Sequence, residues 1–369
     1  MSSARLLISG YYGFDNFGDE AILRIFVDEW RRRRDDRLTV LSARPAETAA
    51  RYGVEALPRG DWRVIRNAVR ESDVLVSGGG GLLQTATSVR AAAYYAAIVS
   101  EAARAGRPAA IFAQGVGPLN YFGRQIVKRA CAHVGHASVR DGASAALLRS
   151  LIPHLDVRLG ADPVFLAPAQ PSPDIDERLV REGIRSDGSA LVCVVVRRSP
   201  LLERAVDELA AAVDRLENEH RAHVVFVPLQ SPEDADASVA VIRRCRTSPV
   251  LLGGGYDLPA MTALFARCSA VLSMRLHALI VASRLAVPFL AIAHDPKIAA
   301  LVEELSYPLE PLDRGGDAKG AVASLWQRRG ALSDHLRRAT PALAARAALT
   351  FDWLAEFVQG RMLAQEKQS

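Results

Sequence analysis

No uninterrupted apolar run in this chain approaches the roughly 20 residues that a bilayer span requires. The first nine residues run straight into an apolar strand pattern, without the charged start and long apolar stretch of an export signal. A cytoplasmic protein is therefore expected, soluble or at most peripheral at the inner face of a membrane. Cysteine is scarce: Cys131, Cys193, Cys245 and Cys268 stand far apart and form no C-x-x-C pair. That leaves neither a zinc knuckle nor a disulfide framework, and reduced thiols are the simplest account. An H-E-x-x-H string, a D-x-D in a suitable loop and a Cys/His cluster are all missing, so no required metal or resident cofactor is indicated. The spacing G-x-G-x-x-G is missing too, which gives dinucleotide binding little support. There is no internal repeat, long charge block or low-complexity segment.

What is present is a long, half-apolar chain. At 369 residues it exceeds the size at which one core keeps growing, and two domains of roughly 150 to 180 residues follow. Lys and Arg number 46 against 41 acidic residues, a formal net charge of +5. The excess suits anionic partners and is too diffuse to choose among them; no nucleic-acid partner is expected. The densest basic run, Arg31 to Arg34, follows an amphipathic segment and reads as a solvated helix end, with an electrostatic foot on anionic lipid as the lesser reading.

The first half repeats one construction, a short apolar strand ending in a polar or glycine-rich turn that opens a helix. Strand 6–9 runs into G-Y-Y-G-F-D-N-F-G-D at 10–19, and a helix pattern starts at about 20. Strand 73–77 runs into G-G-G-G-L-L-Q-T at 78–85. Consecutive glycines cost chain entropy, so something is expected to lie against that backbone. Strand 108–113 meets Q-G-V-G-P at 114–118, and strand 137–140 delivers Arg140 and Asp141 to its end. Residues 1–166 are thus expected to form a Rossmann-like domain. The proline-bearing stretch within 167–188 reads as a semi-rigid linker.

A second α/β series follows over 189–330, with Arg197 and Arg198, Gln230, Arg275 and His277, and His294, Asp295 and Lys297 at successive strand ends. The focus is S-M-R-L-H-A at 273–278, between an apolar strand and a helix, where open α/β sheets place ligand chemistry. A guanidinium offers a permanent fork of donors to phosphate or carboxylate, and an imidazole moves a proton near neutrality. Taken alone, an R-x-H is more often a polar helix start; the matching strand ends in both halves raise its standing. Residues 331–369 read as a helical segment whose apolar stripe packs back on the first domain. The expected fold class is α/β, two facing Rossmann-like domains in a GT-B-like architecture enclosing a cleft, with the C-terminal helix crossing back.

Seven strings, G-Y-Y-G-F-D-N-F-G-D-E-A (10–21), G-G-G-G-L-L-Q (78–84), Q-G-V-G-P (114–118), S-V-R-D (138–141), A-D-P-V-F (161–165), S-M-R-L-H-A-L (273–279) and D-P-K (295–297), resemble the polysaccharide pyruvyl transferases, in particular the branch that pyruvylates cell-wall polymers anchoring surface-layer proteins. The resemblance implies phosphoenolpyruvate as donor, a glycan acceptor, lipid-linked or free, and a pyruvate ketal as product. By motif it implies His277 and Arg275 as catalytic residues, with Asp19 or Asp162 as a base. Arg197, Arg140, Lys297, Ser273 and Leu276 would bind the donor, and Gly13, Asn16, Gly18, Gly79, Gly80, Gln84 and Gln230 would line ligand or acceptor loops. The chain departs from the family pattern at Thr85, where an acidic residue is usual, at Arg198-Ser199-Pro200, where an aromatic often follows the arginine, and at His294, where a tyrosine is usual. The rival readings are a GT-B glycosyltransferase using a nucleotide sugar, with Glu303 or Glu304 on the ribose, and a non-catalytic sugar-phosphate-binding protein.

Overall fold

The computed structural model describes residues 3–86, 88–169, 174–184, 188–313 and 316–367. The chain divides into two compact units, residues 1–166 with 343–369, and residues 167–342.

The first unit alternates strand and helix: β1 (Arg5–Tyr12), α1 (Phe17–Arg33), β2 (Arg37–Ser42), α2 (Pro45–Tyr52), β3 (Glu55–Pro58), α3 (Trp62–Glu71), β4 (Val74–Gly78), α4 (Val89–Arg104), β5 (Ala109–Gln114), α5 (Tyr121–Cys131), β6 (His136–Val139), α6 (Gly142–Leu151) and β7 (Val157–Leu159). All seven strands are parallel, in the order β3-β2-β1-β4-β5-β6-β7. Helices cover both faces of such a sheet, which is why β4 and β5 are apolar runs buried at every residue rather than alternating. The order reverses between β1 and β4, and their carboxyl ends carry the two richest glycine turns.

The second unit holds α7 (Ile175–Arg181), β8 (Leu191–Val195), α8 (Pro200–His220), β9 (His223–Phe226), α9 (Glu233–Ile242), β10 (Val250–Leu251), α10 (Leu258–Ala266), β11 (Cys268–Ser273), α11 (Leu276–Arg284), β12 (Phe289–Ala291) and α12 (Pro296–Glu304). Its parallel sheet runs β10-β9-β8-β11-β12 and reverses between β8 and β11. Cys193 and Cys268, 75 residues apart in sequence, are brought to 3.1 Å between sulfurs in this sheet. Both are buried, and burial raises the Cys193 thiol well above its ordinary value, so the pair packs as small apolar side chains.

Two expectations change. The stretch taken for a linker lies partly outside the described residues, at 170–173 and 185–187. Its described middle is α7, fixed in the second unit by an Arg267–Asp176 ion pair at 2.7 Å and by Glu182 accepting from the Gly253 amide at 2.7 Å. The C-terminal segment is one helix, α13 (Ala318–Glu366), and it changes unit at 342/343 rather than near 330. Leu332 and Leu336 are fully buried in the second unit, where Ser333 donates to the Ala286 carbonyl at 2.7 Å and Thr340 to that of Ser283 at 3.1 Å. Beyond Pro341 the apolar stripe belongs to the first unit: Phe351 lies 4.8 Å from Phe112 and 5.9 Å from Phe26, centroid to centroid.

Part of the basic run of α1 is engaged in this packing. Arg33 donates from Nε to Asp352 of α13 at 2.8 Å, and Arg34 reaches Asp36 at 2.6 Å and Gln359 at 2.6 Å. Arg31 bonds the Tyr52 carbonyl at 3.2 Å. Arg33 and Arg34 thus staple α1 to α13 and Arg31 reaches α2, while Arg31 and Arg32 stay exposed, as a solvated helix end predicts.

Candidate active site

The second unit gathers polar side chains at the carboxyl ends of its central strands. Met274 donates its amide to the Val195 carbonyl at 2.8 Å, tying the β11 exit to β8. Ser273, fully buried, accepts from the Arg275 amide at 2.8 Å and donates to the Arg275 carbonyl at 3.0 Å. Its hydroxyl therefore shapes the turn that sets Arg275 as the N-cap residue of α11, with Leu276 and His277 in the first turn.

Arg275 is held from the side. Its Nε donates to Asp234 Oδ2 at 3.0 Å, its Nη2 to Asp234 Oδ1 and to Gln230 Oε1, the last at 3.2 Å. The Asp234 carboxylate, 0% exposed, also accepts from the amides of Leu229 at 3.3 Å and Gln230 at 3.1 Å, so one buried carboxylate fixes both the β9 exit loop and the guanidinium fork. Among the described residues none takes a bond from Nη1. Arg197, on the β8 exit, feels the same field: burial lowers its pKa most, Arg275 lowers it further, and Asp234 and Asp295 oppose. His294, on the β12 exit, is lowered to about 4, first by burial and then by Arg197, and is neutral at pH 7. Its Nδ1 is buried without a hydrogen-bond partner among the described residues. Asp295 caps α12 through the Lys297 amide at 3.0 Å, setting Lys297 in that helix's first turn. Four strand ends thus bring Arg197, Gln230, Arg275, His277, His294 and Lys297 to one edge of one sheet. An Arg197 guanidinium held in a partly buried place beside a second guanidinium describes a site preorganised for an anion.

At the carboxyl edge of the first unit, helix α1 starts at Phe17, three residues earlier than expected, because Asn16 is the cap and accepts from Gly18 at 3.1 Å and Asp19 at 3.5 Å. Asp19 lies in the first turn rather than at the cap. Glu20 accepts from the Gly13 amide at 2.8 Å and so closes the loop. Gly13, at φ +78°, admits no side chain, since a Cβ there would meet Ser42 Oγ at 2.3 Å. The groups lying against the β4 glycines are the protein's own: a Cβ on Gly79 would come within 2.8 Å of the Tyr12 hydroxyl, and one on Gly80 within 2.3 Å of Asp19 Oδ1. Tyr12 donates to the Gly78 carbonyl at 3.1 Å; burial, and then Asp19, push its pKa well above 10, so it stays protonated. Gln84 leaves this turn, and Thr85 beside it accepts from the Asn120 amide at 2.8 Å. Arg140, 6% exposed, donates to Asp162 at 2.7 Å in a buried ion pair. Both Arg140 and the alternative base Asp162 are thus engaged with each other in this unit.

Sequence reasoning did not single out Asp234, which lies 41 residues before Arg275, on another strand exit, with no spacing signal to join them. His294 was noticed as a strand-end residue and a departure, Tyr12 only within the turn string and Glu20 only as a helix start. Glu303 and Glu304, proposed for a ribose, end α12, a helix length of roughly 12 Å from its strand-end turn. Among the described residues no group of His, Cys, Asp and Glu is arranged to hold a metal, and no helix is long and apolar enough to cross a membrane.

Two parallel sheets, each reversing its order at a central crevice, define the class: an α/β protein of two Rossmann-like domains with the fold of GT-B glycosyltransferases and nucleotide-sugar epimerases. The chain is similar in structure to Anabaena HepE, solved with UDP-glucose (13% identity, TM-score 0.67, 97% of this chain and 99% of that one). It is also similar to the UDP-GlcNAc 2-epimerase of Neisseria meningitidis, bound to UDP-GlcNAc (11%, 0.65, 95% and 100%), and to S. aureus MnaA with UDP (10%, 0.66, 94% and 94%). At these identities the likeness is one of fold. Within that class the chain belongs to the polysaccharide pyruvyl transferase family, whose model matches residues 16–296. No curated protein matches the chain.

Proposed function

We propose that this transferase moves the pyruvyl group of phosphoenolpyruvate onto a sugar of a cell-wall or exopolysaccharide precursor, forming a pyruvate ketal and releasing phosphate. The observation that carries the reading is geometric: Arg197, Arg275 and Lys297 stand at the exits of three strands of one sheet, with the His277 imidazole two residues from Arg275. Phosphoenolpyruvate brings a phosphate and a carboxylate on three carbons, and Arg275, Arg197 and Lys297 supply fixed positive charge for both. His277 protonates the enol carbon C3, which makes C2 electrophilic. A sugar hydroxyl adds to C2 and gives its proton to a base, for which Asp19 is the candidate. A second hydroxyl then displaces phosphate, which leaves with that hydroxyl's proton. Positioned proton transfer of this kind is worth about 10²- to 10⁴-fold. Gln230, Ser273 and Leu276 shape the donor end; Gly13, Asn16, Gly18, Gly79, Gly80 and Gln84 are the candidates for acceptor contact, and Arg140 is set to act through Asp162.

The rival reading, a nucleotide-sugar glycosyltransferase, is favoured by the UDP-bound proteins of like fold. Incubation with phosphoenolpyruvate or with nucleotide sugars, following phosphate and nucleotide release, separates the two. Phosphate release with a pyruvyl-sized mass gain on the glycan is the expected result; nucleotide release without it overturns the proposal. His277→Ala is expected to abolish turnover in a folded protein, and near-normal turnover would remove His277 from the proton step.

A further inference from the structure

Helix α5 presents a face that the fold does not use. Its buried side is Gly123, Val127, Ala130 and Cys131. At 100° per residue, Tyr121, Phe122, Lys128 and Arg129 fall in the opposite arc, with the exposed Arg124 on its flank. Tyr121 and Phe122 are 71% and 67% exposed, the most exposed large apolar side chains among the described residues, and their rings meet edge to face at 5.7 Å. The helix has three basic residues and no acidic one, and its neighbour α6 has no acidic residue either. At the far end of α5, Arg129 and His133 open onto a cavity of about 550 Å³ that is also lined by Arg104, Arg107 and Arg361. The lining residues include no acidic side chain, and Glu101 on α4 is buried and bound to Arg104 at 3.3 Å.

We propose that this face of α5 is a docking surface for an anionic phospholipid bilayer. Adjacent exposed aromatics at one end and cations along the rest are the chemistry of a helix lying in a membrane interface, rings at the headgroup boundary and basic groups among phosphates. The arginine-lined cavity takes a headgroup phosphate. A two-fold contact between copies of the chain through α5 is disfavoured, because it sets this face against itself and brings cation to cation. With one aromatic pair as its apolar part, docking is reversible and salt-sensitive.

Cosedimentation of the full chain with phosphatidylcholine vesicles, with and without phosphatidylglycerol, tests it. Binding to the anionic vesicles alone, reversed by salt, is expected. Each basic residue near such a surface is worth roughly fivefold in partitioning, so Lys128→Gln with Arg129→Gln weakens it on the order of thirtyfold. Tyr121→Ser with Phe122→Ser removes the anchor and is expected to reduce binding independently; circular dichroism verifies that both variants are folded. Equal binding to both vesicle types, no binding, or variants that bind like the parent each overturn the proposal. So does a dimer in sedimentation equilibrium that Tyr121→Ser with Phe122→Ser dissolves, which would make the face an interface between copies.

Discussion

Arg275 is useful only because Asp234 fixes it. A guanidinium hydrogen-bonded through Nε and Nη2 to a 0% exposed carboxylate keeps one orientation. Asp234→Asn keeps the shape and removes the charge, leaving a largely buried cation uncompensated. The expected cost is about 3 kcal/mol by denaturant titration, together with, under the proposed function, a raised KM for phosphoenolpyruvate. Arg275→Lys is expected to behave like Arg275→Ala in KM, because an ammonium cannot reproduce the fork; rescue by Lys would reduce Arg275 to a point charge. His294 reports the same field. Its imidazole titrates near 4 because burial and Arg197 penalise the cation, so a bound phosphate must raise that value. NMR titration of the ring with and without inorganic phosphate measures this directly, and an unmoved His294 would mean the anion binds elsewhere. The sequence marked Arg275 and His277 through their place after a strand. It could not mark Asp234, since contact between two strand exits is set by sheet order, which no local pattern records.

At the scale of elements, the glycine turn after β4 was legible as a place of close approach, and the approaching groups were not. Gly80 has φ +51° and Asp19 Oδ1 fills the space a Cβ would need, so Gly80→Ala meets both backbone strain and a clash with a carboxylate. A loss of more than about 1 kcal/mol is expected, and Asp19→Ala in the same chain should recover part of it by emptying that space; strict additivity of the two changes would show that they do not touch. Helix α13 makes the complementary point. Its apolar periodicity predicted a packed helix, and Phe351 is indeed fully buried beside Phe26 and Phe112. Phe351→Ala is expected to cost about 3–5 kcal/mol in the first unit. The change of unit near Pro341 was not legible, because leucines at helical spacing look the same whichever core receives them. The arginines 31–34 were legible in part: Arg31 and Arg32 are exposed, as a solvated end predicts, whereas Arg33 and Arg34 are engaged by Asp352 and Asp36.

For the whole molecule, the repeated strand-turn-helix construction made the α/β class and the two-unit division readable, since buried parallel strands are short apolar runs with polar exits. Acid response is a property at this scale because each unit carries one depressed histidine. His136, 6% exposed on β6, stacks on Phe357 of α13 at 5.7 Å and is lowered to about 4, chiefly by burial and then by Arg158. His294 gives the second unit the same liability. The unfolded chain binds a proton at each site near pH 6.5, whereas the folded protein does so only near 4, so the unfolded state holds more protons between those values and stability falls as pH falls through the window. For His136 the shift corresponds to on the order of 3 kcal/mol lost by pH 4. Denaturant midpoints taken from pH 7 to pH 4 should therefore decline, and His136→Phe, which keeps the stacking and cannot titrate, should flatten the part of the decline that belongs to the first unit. A slope unchanged by His136→Phe would mean that carboxylates, not this histidine, set the acid limit of that unit.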